Sequence, residues 1–259
     1  MRLVERVETP TGHFYRNPQT GEAIPGVTTI LKALPKDALH DWRMRKAVDL
    51  ALAGEPVWTK SKPEGADLKT WLITAGDREA NAAAVKGTAA HAFAEAYMLG
   101  QDPDIEALTK AERRHAECFL HWVDMHQPQP ILVEKVLTHI DAKSGLPLYC
   151  GTMDLMARLN DGFAWLIDYK ASSRQARSSH ALQAAAYRYA THWIDEDGLL
   201  QPMPEVDRAA VVLLNGGPSD RCYRMFELDT SPVVFSLFKS LIRIHAFSKI
   251  ENRVILGEI

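Results

Sequence analysis

The chain has 259 residues, of which 46% are hydrophobic, and it carries a formal net charge of −3 at pH 7 with a pI of about 6.4. This length allows one large domain or two small ones, and the apolar content is enough for a sizeable core. The slightly acidic balance excludes a surface that is basic overall, so any contact with nucleic acid has to come from a local patch.

The three cysteines, Cys118, Cys150 and Cys222, are widely spaced along the chain. Such spacing is typical of neither a disulfide framework nor a zinc or iron–sulfur site. The sequence shows no signal peptide and no apolar run long enough to cross a membrane. We therefore expect a protein of the reducing cytoplasm that does not associate with a membrane.

The N-terminal part of the chain predicts a small β-meander followed by helices. Turn signals at Thr11-Gly12 and at 17–21 separate short strands, and Pro25-Gly26 ends them. Thr28 or Thr29 is expected to cap a short helix. The predicted elements are a meander at 3–24, a helix at 36–53, a Pro- and Gly-containing loop at 54–66, and helices at 67–98 and 109–127.

The second half of the chain alternates between strands and helices. The predicted elements are strands at 131–140, 147–159 and 163–170, a helix at 179–197, strands at 207–215 and 221–228 on either side of Gly216-Gly217-Pro218, and a helix at 231–250. This order predicts a mixed α/β (α+β) fold, in which helices flank a mixed central sheet. We expect one domain over 1–259, with an elaboration at 1–85 and a core at 86–259.

An acidic hairpin is the most informative feature of the sequence. Asn160-Asp161-Gly162 is a strong turn signal between two apolar strands. A three-residue loop with Gly162 in the left-handed conformation pairs Leu159 with Phe163. Asp154 then lies opposite Asp168 on one face, with Cβ atoms ~5 Å apart. A two-residue loop would instead place the two aspartates on opposite faces.

The same strand period places Lys170 on the face of Asp168 and turns Tyr169 towards the core, together with Trp165 and Ile167. Two neighbouring carboxylates repel each other, which raises the pKa of one of them unless a cation such as Mg²⁺ or Mn²⁺ is bound. The alternative is a solvated pair of aspartates with Lys170 as salt-bridge partner. Apolar neighbours such as Leu155 and Leu166 favour a site close to the core.

Further residues can be grouped with this hairpin. Gly87 interrupts an alanine-rich helical pattern, which suggests close approach of another backbone or a ligand. His91 can offer a ring nitrogen to a metal, and Glu95 shares its helix face. Glu134 precedes the hairpin and could support a metal site. Taken alone, His91 is more typical of a partly buried structural histidine, and Glu95 and Glu134 are also consistent with solvated or pairing carboxylates.

Gln183 and Tyr187 are spaced by four residues, so a helix presents them together. An amide and a phenol there can hold a phosphate or position Lys170. A plain helix surface is the alternative for this pair.

Together these motifs resemble the PD-(D/E)xK nuclease superfamily, and most closely its RecB-like exonuclease branch of bacteria and bacteriophages. The matching segments, in the family's order, are Gly87-Thr88-x-x-His91, Gly151-Thr152-Met153-Asp154, Asp168-Tyr169-Lys170 and Gln183-x-x-x-Tyr187. The stretch from Pro25 to Trp42 is similar to the N-terminal region of phage and prophage members. The resemblance covers roughly residues 25 to 190.

The resemblance implies a restriction-endonuclease-like core and a metal-dependent hydrolase. Its catalytic residues would be Asp154, Asp168, Lys170, Gln183 and Tyr187. The ligands of one or two Mg²⁺ or Mn²⁺ ions would be His91, Asp154, Asp168 and the backbone carbonyl of Tyr169. The products would carry a 5′-phosphate and a 3′-hydroxyl.

The resemblance also bears on cofactors and partners. The cysteine set of the iron–sulfur branch is missing, so no cluster is expected. A Walker A motif is also missing, so any helicase activity would come from a partner protein in recombination.

DNA contacts are expected from local cations and aromatic rings. The candidates are Trp42, Arg43, Arg45, Lys46, Arg174 and Arg177, with Lys60 and Lys62 in the Pro-rich loop, and Trp58 and Trp71 as stacking rings. Solvated charges and core tryptophans are the alternatives. The hypothesis is that residues 36–85 form a helical cover over the site.

The expected function is therefore a DNA exonuclease in recombination, repair or phage DNA processing. The expected compartment is the bacterial cytoplasm. Two alternatives remain at this point: a structure-specific endonuclease, and a non-catalytic nucleic-acid-binding module that retains the fold.

Overall fold

A computed structural model of the protein describes residues 2–10, 12–35, 37–171, 175–214, 222–248 and 250. The fold is mixed α/β, with a seven-stranded mixed sheet flanked by helices, as the sequence predicts. Within the described ranges, no helix combines the length and apolar character needed to cross a membrane.

The elements in chain order are β1 (Glu5–Thr9), β2 (Gly12–Arg16), β3 (Ala23–Ile24), α1 (Val27–Ile30), a 3-10 turn (Leu31–Ala33), α2 (Asp37–Ala53), α3 (Glu55–Ser61), α4 (Leu68–Ile73), α5 (Ala75–Met98), α6 (Lys110–His126), β4 (Gln129–Ile140), β5 (Pro147–Arg158), β6 (Ala164–Lys170), α7 (Ser178–Arg188), β7 (His192–Ile194), β8 (Leu200–Pro202), β9 (Arg208–Leu213), β10 (Arg224–Glu227) and α8 (Pro232–Ser248). The surroundings of Gly87, the residue Arg174 and the turn at 216–218 lie outside the described part.

The predicted N-terminal meander is confirmed as the antiparallel sheet β1-β2-β3. Its buried side chains Val4, Tyr15 and Ile24 pack against Cys150 of β5. The Cys150 N–H also donates to the carbonyl of Pro25 at 3.1 Å. The meander is therefore attached to the strand that carries the first acidic motif.

The central sheet has the strand order β10-β9-β6-β5-β4-β7-β8. Among the described strands, β6 and β9 run parallel and the other neighbours run antiparallel. One face packs against α7 and α8, with Leu166 among its buried residues. The other face packs against α5 and α6, with Ile167 and Tyr169 buried there. Burial on both faces explains why β6 is almost continuously apolar.

The predicted three-residue hairpin loop is confirmed. The Leu159 N–H donates to the Phe163 carbonyl at 3.1 Å, and Gly162 has the left-handed φ of 84°. The β5–β6 pairing runs from Arg158↔Ala164 to Leu155↔Ile167. This register brings Asp154 and Asp168 to the end of the pairing.

Three N-terminal expectations are wrong. The predicted loop at 54–66 contains helix α3, because Pro56 occupies its first turn, where a missing N–H has no helical partner to lose. The predicted helix at 67–98 is divided into α4 and α5 around Thr74. Asp67 caps α4 by accepting the Thr70 N–H at 2.7 Å. Similarly, α1 follows Gly26 without a side-chain cap, and Thr28 and Thr29 lie inside it.

The predicted helix at 179–197 is also wrong in its second half. Helix α7 ends at Arg188, and the strands β7 and β8 follow. Trp193 of β7 pairs with Leu137 at the free edge of β4. Aromatic and β-branched residues at 191–194 suit this extended edge better than a helix. The helices α2, α6 and α8 and the strands β4, β5, β6, β9 and β10 agree with the sequence to within a few residues.

We predict that Gly151→Ala destabilises the protein because α7 packs directly on this glycine. A Cβ atom at position 151 would lie 2.5 Å from Cε1 of Tyr187 and 3.1 Å from Cγ2 of Val27. Overpacking of this kind costs about 1–3 kcal/mol in the free energy of unfolding, measurable by urea denaturation. The control is the same substitution in a Tyr187→Ala background, where the cost should shrink. An equal cost in both backgrounds would contradict the packing argument.

Candidate metal centre

The strands β5 and β6 separate at the acidic motifs. Beyond Leu155↔Ile167, the Tyr169 N–H donates to the Asp154 carboxylate at 2.7 Å. The Asp154 side chain thus accepts the hydrogen bond that a main-chain carbonyl of a neighbouring strand would otherwise accept. This opening positions a carboxylate at the end of the sheet, close to the main chain of β6.

The expected side-chain alternation does not continue through Asp154, which corrects the prediction of one regular acidic face. Met153 and Leu155 are two residues apart, yet they pack in the cores on different faces of the sheet. Glu134 lies on β4 at the level of Asp154 and has the unusual φ of 48°. Asp154 consequently contacts α5, whereas Asp168 contacts α7.

His91 brings three of the predicted metal ligands together. Its Nδ1 lies 3.5 Å from Oδ2 of Asp154, and its Nε2 lies 2.9 Å from the carbonyl oxygen of Tyr169. Burial by itself would lower the pKa of His91, but the Asp154 carboxylate outweighs it and raises the pKa to about 9. At neutral pH the imidazolium therefore forms an ion pair with the Asp154 carboxylate and donates to the Tyr169 carbonyl, and both groups are good cation ligands.

Glu134 completes a compact triangle of ligand atoms. One atom from each of His91, Glu134 and Asp154 can be chosen so that all three lie within 4.8 Å of one another. Burial, and then the charge of Asp154, raise the pKa of Glu134 to about 8. From the sequence we expected Glu134 only as support. Its signal was a single carboxylate inside the apolar run Ile131-Leu132-Val133-Glu134.

Asp168 is held in a separate ion pair next to the triangle. Nζ of Lys170 lies 2.7 Å from Oδ1 and 2.6 Å from Oδ2 of Asp168. Oδ2 is buried and has no hydrogen bond of good alignment. Burial raises the pKa of Asp168 and outweighs the opposing charge of Lys170, while Asp154 adds to the rise. The pKa of Lys170 is raised despite its burial, because Asp168 and Asp154 face it.

Gln183 and Tyr187 hold Asp168 from helix α7. Nε2 of Gln183 donates to Oδ1 of Asp168 at 3.0 Å and contacts the Tyr187 hydroxyl at 3.2 Å. Burial raises the pKa of Tyr187 well above its ordinary value, so its hydroxyl stays protonated. Gln183 and Tyr187 therefore position the Asp168–Lys170 ion pair from the α7 face of the sheet.

The remaining site candidates lie outside this contact network. Glu95 is one turn from His91 on α5 and adds only a weaker charge effect on Glu134. Arg45 is exposed on α2. The main-chain N–H of Arg177 donates to Nδ1 of His180 at 3.2 Å, before α7.

Several residues expected to contact DNA hold the helical N-terminal part together. Arg43 pairs with Asp77 at 2.8 Å, and Lys46 pairs with Glu79 at 2.9 Å, which joins α2 to α5. Lys46 also lies over the ring of Trp42. Three further candidates also have local partners. Trp58 donates to the Leu50 carbonyl, and Lys62 donates to the carbonyl of Ala66. The buried Trp71 packs under the guanidinium of Arg78.

The donor set fits a divalent cation that prefers oxygen. It combines an imidazole, two or three carboxylates and a main-chain carbonyl, which is a set of ligands found around such ions. The raised pKa of Glu134 is a sign of negative charge that lacks full compensation in the metal-free protein. The His/Glu/Asp group could therefore hold a metal ion.

No protein-family model matches this chain, and no curated protein matches it in sequence. The family resemblance therefore rests on the motifs and their order.

We predict that the metal-free protein loses stability as the pH rises from neutral to 9. His91 has an ordinary pKa of 6.5 and a folded value of about 9, so its contribution is complete below 6.5 and is lost as the pH rises through 9. Folding also raises the pKa of Glu134 from 4.5 to about 8, so this group adds a further loss of stability as the pH rises to about 8. Urea unfolding in EDTA at several pH values measures the slope.

The matched variant for this experiment is Glu134→Gln, which cannot titrate at position 134. Its stability should fall less steeply between pH 6 and pH 8 than that of the wild type. Parallel pH profiles for the two proteins would show that Glu134 is not the buried acid.

Proposed function

We propose that this protein is a metal-dependent DNA exonuclease of the PD-(D/E)xK superfamily, RecB-like branch. One observation carries the proposal: the ligand triangle of His91, Glu134 and Asp154 lies beside the Asp168–Lys170 ion pair where β5 and β6 separate. A half-buried lysine next to a candidate divalent-cation site is suited to phosphodiester hydrolysis, in which negative charge increases on the phosphoryl oxygens.

The ion would be Mg²⁺ or Mn²⁺, held by Asp154, Glu134 and His91 with the Tyr169 carbonyl, and by Asp168 if a second ion is bound. When bound, the metal would lower the pKa of a water ligand and neutralise charge on the phosphate. His91 would release a proton to become a ligand, because a coordinating ring nitrogen must be deprotonated.

Lys170 would donate to the scissile phosphate or orient the attacking water. Its ammonium is already positioned by Asp168, which Gln183 fixes in turn. Positioning of this kind removes the need to reorganise charges during the reaction. Contacts to phosphate alone carry no sequence preference, which suits an enzyme that degrades DNA in recombination, repair or phage DNA processing.

We predict that the protein degrades linear DNA but not closed-circular DNA, with Mg²⁺ or Mn²⁺ and not with EDTA. Asp168→Ala should lower the rate by at least about 100-fold, because it removes the partner of Lys170 and a negative charge of the site. Gel analysis of an end-labelled duplex and a closed plasmid provides the measurement. Cutting of the closed circle would indicate an endonuclease, and DNA binding without any cutting would indicate a non-catalytic module.

We also predict that Glu134→Gln weakens Mn²⁺ binding at least about tenfold, because it removes a carboxylate from the triangle. Isothermal titration calorimetry in the absence of DNA measures this independently of activity. Glu95→Gln is the matched control on the neighbouring helix, and its dissociation constant should change less than about threefold, since its charge acts only at a distance. Equal effects of the two substitutions would remove Glu134 from the ligand set.

A further inference from the structure

Two of the three cysteines lie together although they are far apart in the chain. Cys118 is buried on α6, and the half-buried Cys222 precedes β10 and packs against the apolar cluster that contains Cys118. The Cys118 thiol donates a hydrogen bond to the sulfur of Cys222, and both residues line one cavity of about 720 Å³. Burial, and then this contact, raise the pKa of Cys118, so its thiol stays protonated at neutral pH.

His121 is a second partner of Cys222. Its Nδ1 lies 3.7 Å from Sγ of Cys222, and its ring packs edge-on against Tyr223. Cys118 and His121 are three residues apart on α6, so one side of this helix presents both to Cys222. The Cys222 sulfur therefore has a thiol donor and an imidazole base as neighbours, which is the pairing found around nucleophilic thiols.

The cavity that the two thiols line is positively charged. Among the described residues of its wall, the charged ones are Lys110, Arg113, Arg114 and Glu117. Arg113 also pairs with Glu106 at 2.8 Å, so the cations still outnumber the carboxylates when this partner is counted. The charge of Arg114 reaches the buried thiol, where it opposes the rise in the pKa of Cys118. Reactive cysteines lie in surroundings of this kind, which are electropositive and partly exposed.

We propose that Cys222 is a redox modification site for an anionic small-molecule disulfide of the glutathione class, and that Cys118 converts the first product into a Cys118–Cys222 disulfide. The inference is independent of the proposed nuclease function, because both thiols lie outside the metal-ligand set. The carboxylates of such a reagent match the cations of the cavity. The protein disulfide would join α6 to the chain that enters the edge strand β10.

The reaction is a two-electron thiol–disulfide exchange. His121 accepts the proton of Cys222, and the resulting thiolate attacks one sulfur of the reagent. A bond forms between that sulfur and Sγ of Cys222, while the S–S bond of the reagent breaks and releases one small thiol. Cys118 then loses its proton and attacks Sγ of Cys222, which releases the second small thiol. Two protein thiols are thus oxidised, and the two thiols formed from the reagent take up both protons.

The test treats the reduced full-length protein with oxidised glutathione, which is anionic, or with cystamine, which is cationic. Peptide mass spectrometry without reduction identifies the products. Cys150, which is fully buried and contacts Thr138, is the internal control in the same molecule. Each rate is divided by the rate of the same reagent with a neutral cysteine derivative, N-acetylcysteinamide, at low ionic strength.

The variants separate the roles of the two thiols and of the charge. Cys222→Ser removes the attacking thiol, and Cys118→Ser removes the resolving one. Arg114→Gln removes a cation of the cavity wall. Its matched control is Arg243→Gln, since Arg243 is exposed on α8, which packs on the other face of the sheet.

We expect the wild type to form the Cys118–Cys222 disulfide while Cys150 remains a thiol. Cys118→Ser should stop at the mixed disulfide on Cys222, and Cys222→Ser should form neither product. The normalised rate with oxidised glutathione should exceed that with cystamine at least about fivefold. Arg114→Gln should lower this preference about threefold, whereas Arg243→Gln should leave it unchanged.

A wild type that keeps all three thiols, or in which Cys150 reacts as fast as Cys222, would overturn the inference, because the thiols would then react only on unfolding. Equal normalised rates for the two reagents would overturn the assignment to an anionic disulfide. The wild-type result needs no variant. Melting temperatures show whether Cys118→Ser is folded, and Cys118→Ala takes its place if it is not.

Discussion

Burial of acidic side chains at the end of the β5–β6 pairing is the constraint on which the rest of the structure depends. A carboxylate in a core is tolerated only when donors and positive charge compensate it. Asp154 receives the Tyr169 N–H and faces His91, and Asp168 receives Lys170 and Gln183. Glu134 has no comparable donor among the described contacts, and its raised pKa reflects this. Helices α5 and α7 are thus required on opposite faces, each supplying compensation to one aspartate.

His91 gives the metal-free protein its own substitute for a cation. Its imidazolium lies between the Asp154 carboxylate and the Tyr169 carbonyl, which are two of the groups that a metal ion would use. A proton and a divalent ion would then compete for one set of ligands. In the metal-free protein the protonated histidine already compensates the charge of the Asp154 carboxylate.

The sequence predicted the central part of the fold because its signals are local. The Asn160-Asp161-Gly162 turn fixed the hairpin register, and the apolar runs on either side fixed the strands. The interruption at Asp154 had no signal in the sequence of β5, and it lies at the level of Glu134, the residue of the neighbouring strand that has a positive φ. Strand β7 was missed because the edge of β4, a tertiary feature, outweighs the helical pattern at 179–197. Glu134 was predicted only as a supporting residue for the same reason, because its place in the ligand triangle depends on a contact between β4 and β5. The nearness of the meander to Thr152 had no sequence signal at all.

Tyr169 connects two parts of the molecule that otherwise look unrelated. Its main-chain N–H and carbonyl both contact site residues, while its ring packs edge-on against Phe119 and Trp122 of α6, on the face of the sheet that α5 also covers. The position of the site's backbone is therefore set in part by a buried aromatic cluster. A change in the packing of these rings would be transmitted to the main-chain groups of Tyr169, so α6 helps to set the geometry of the acidic site although its own side chains lie outside the ligand set.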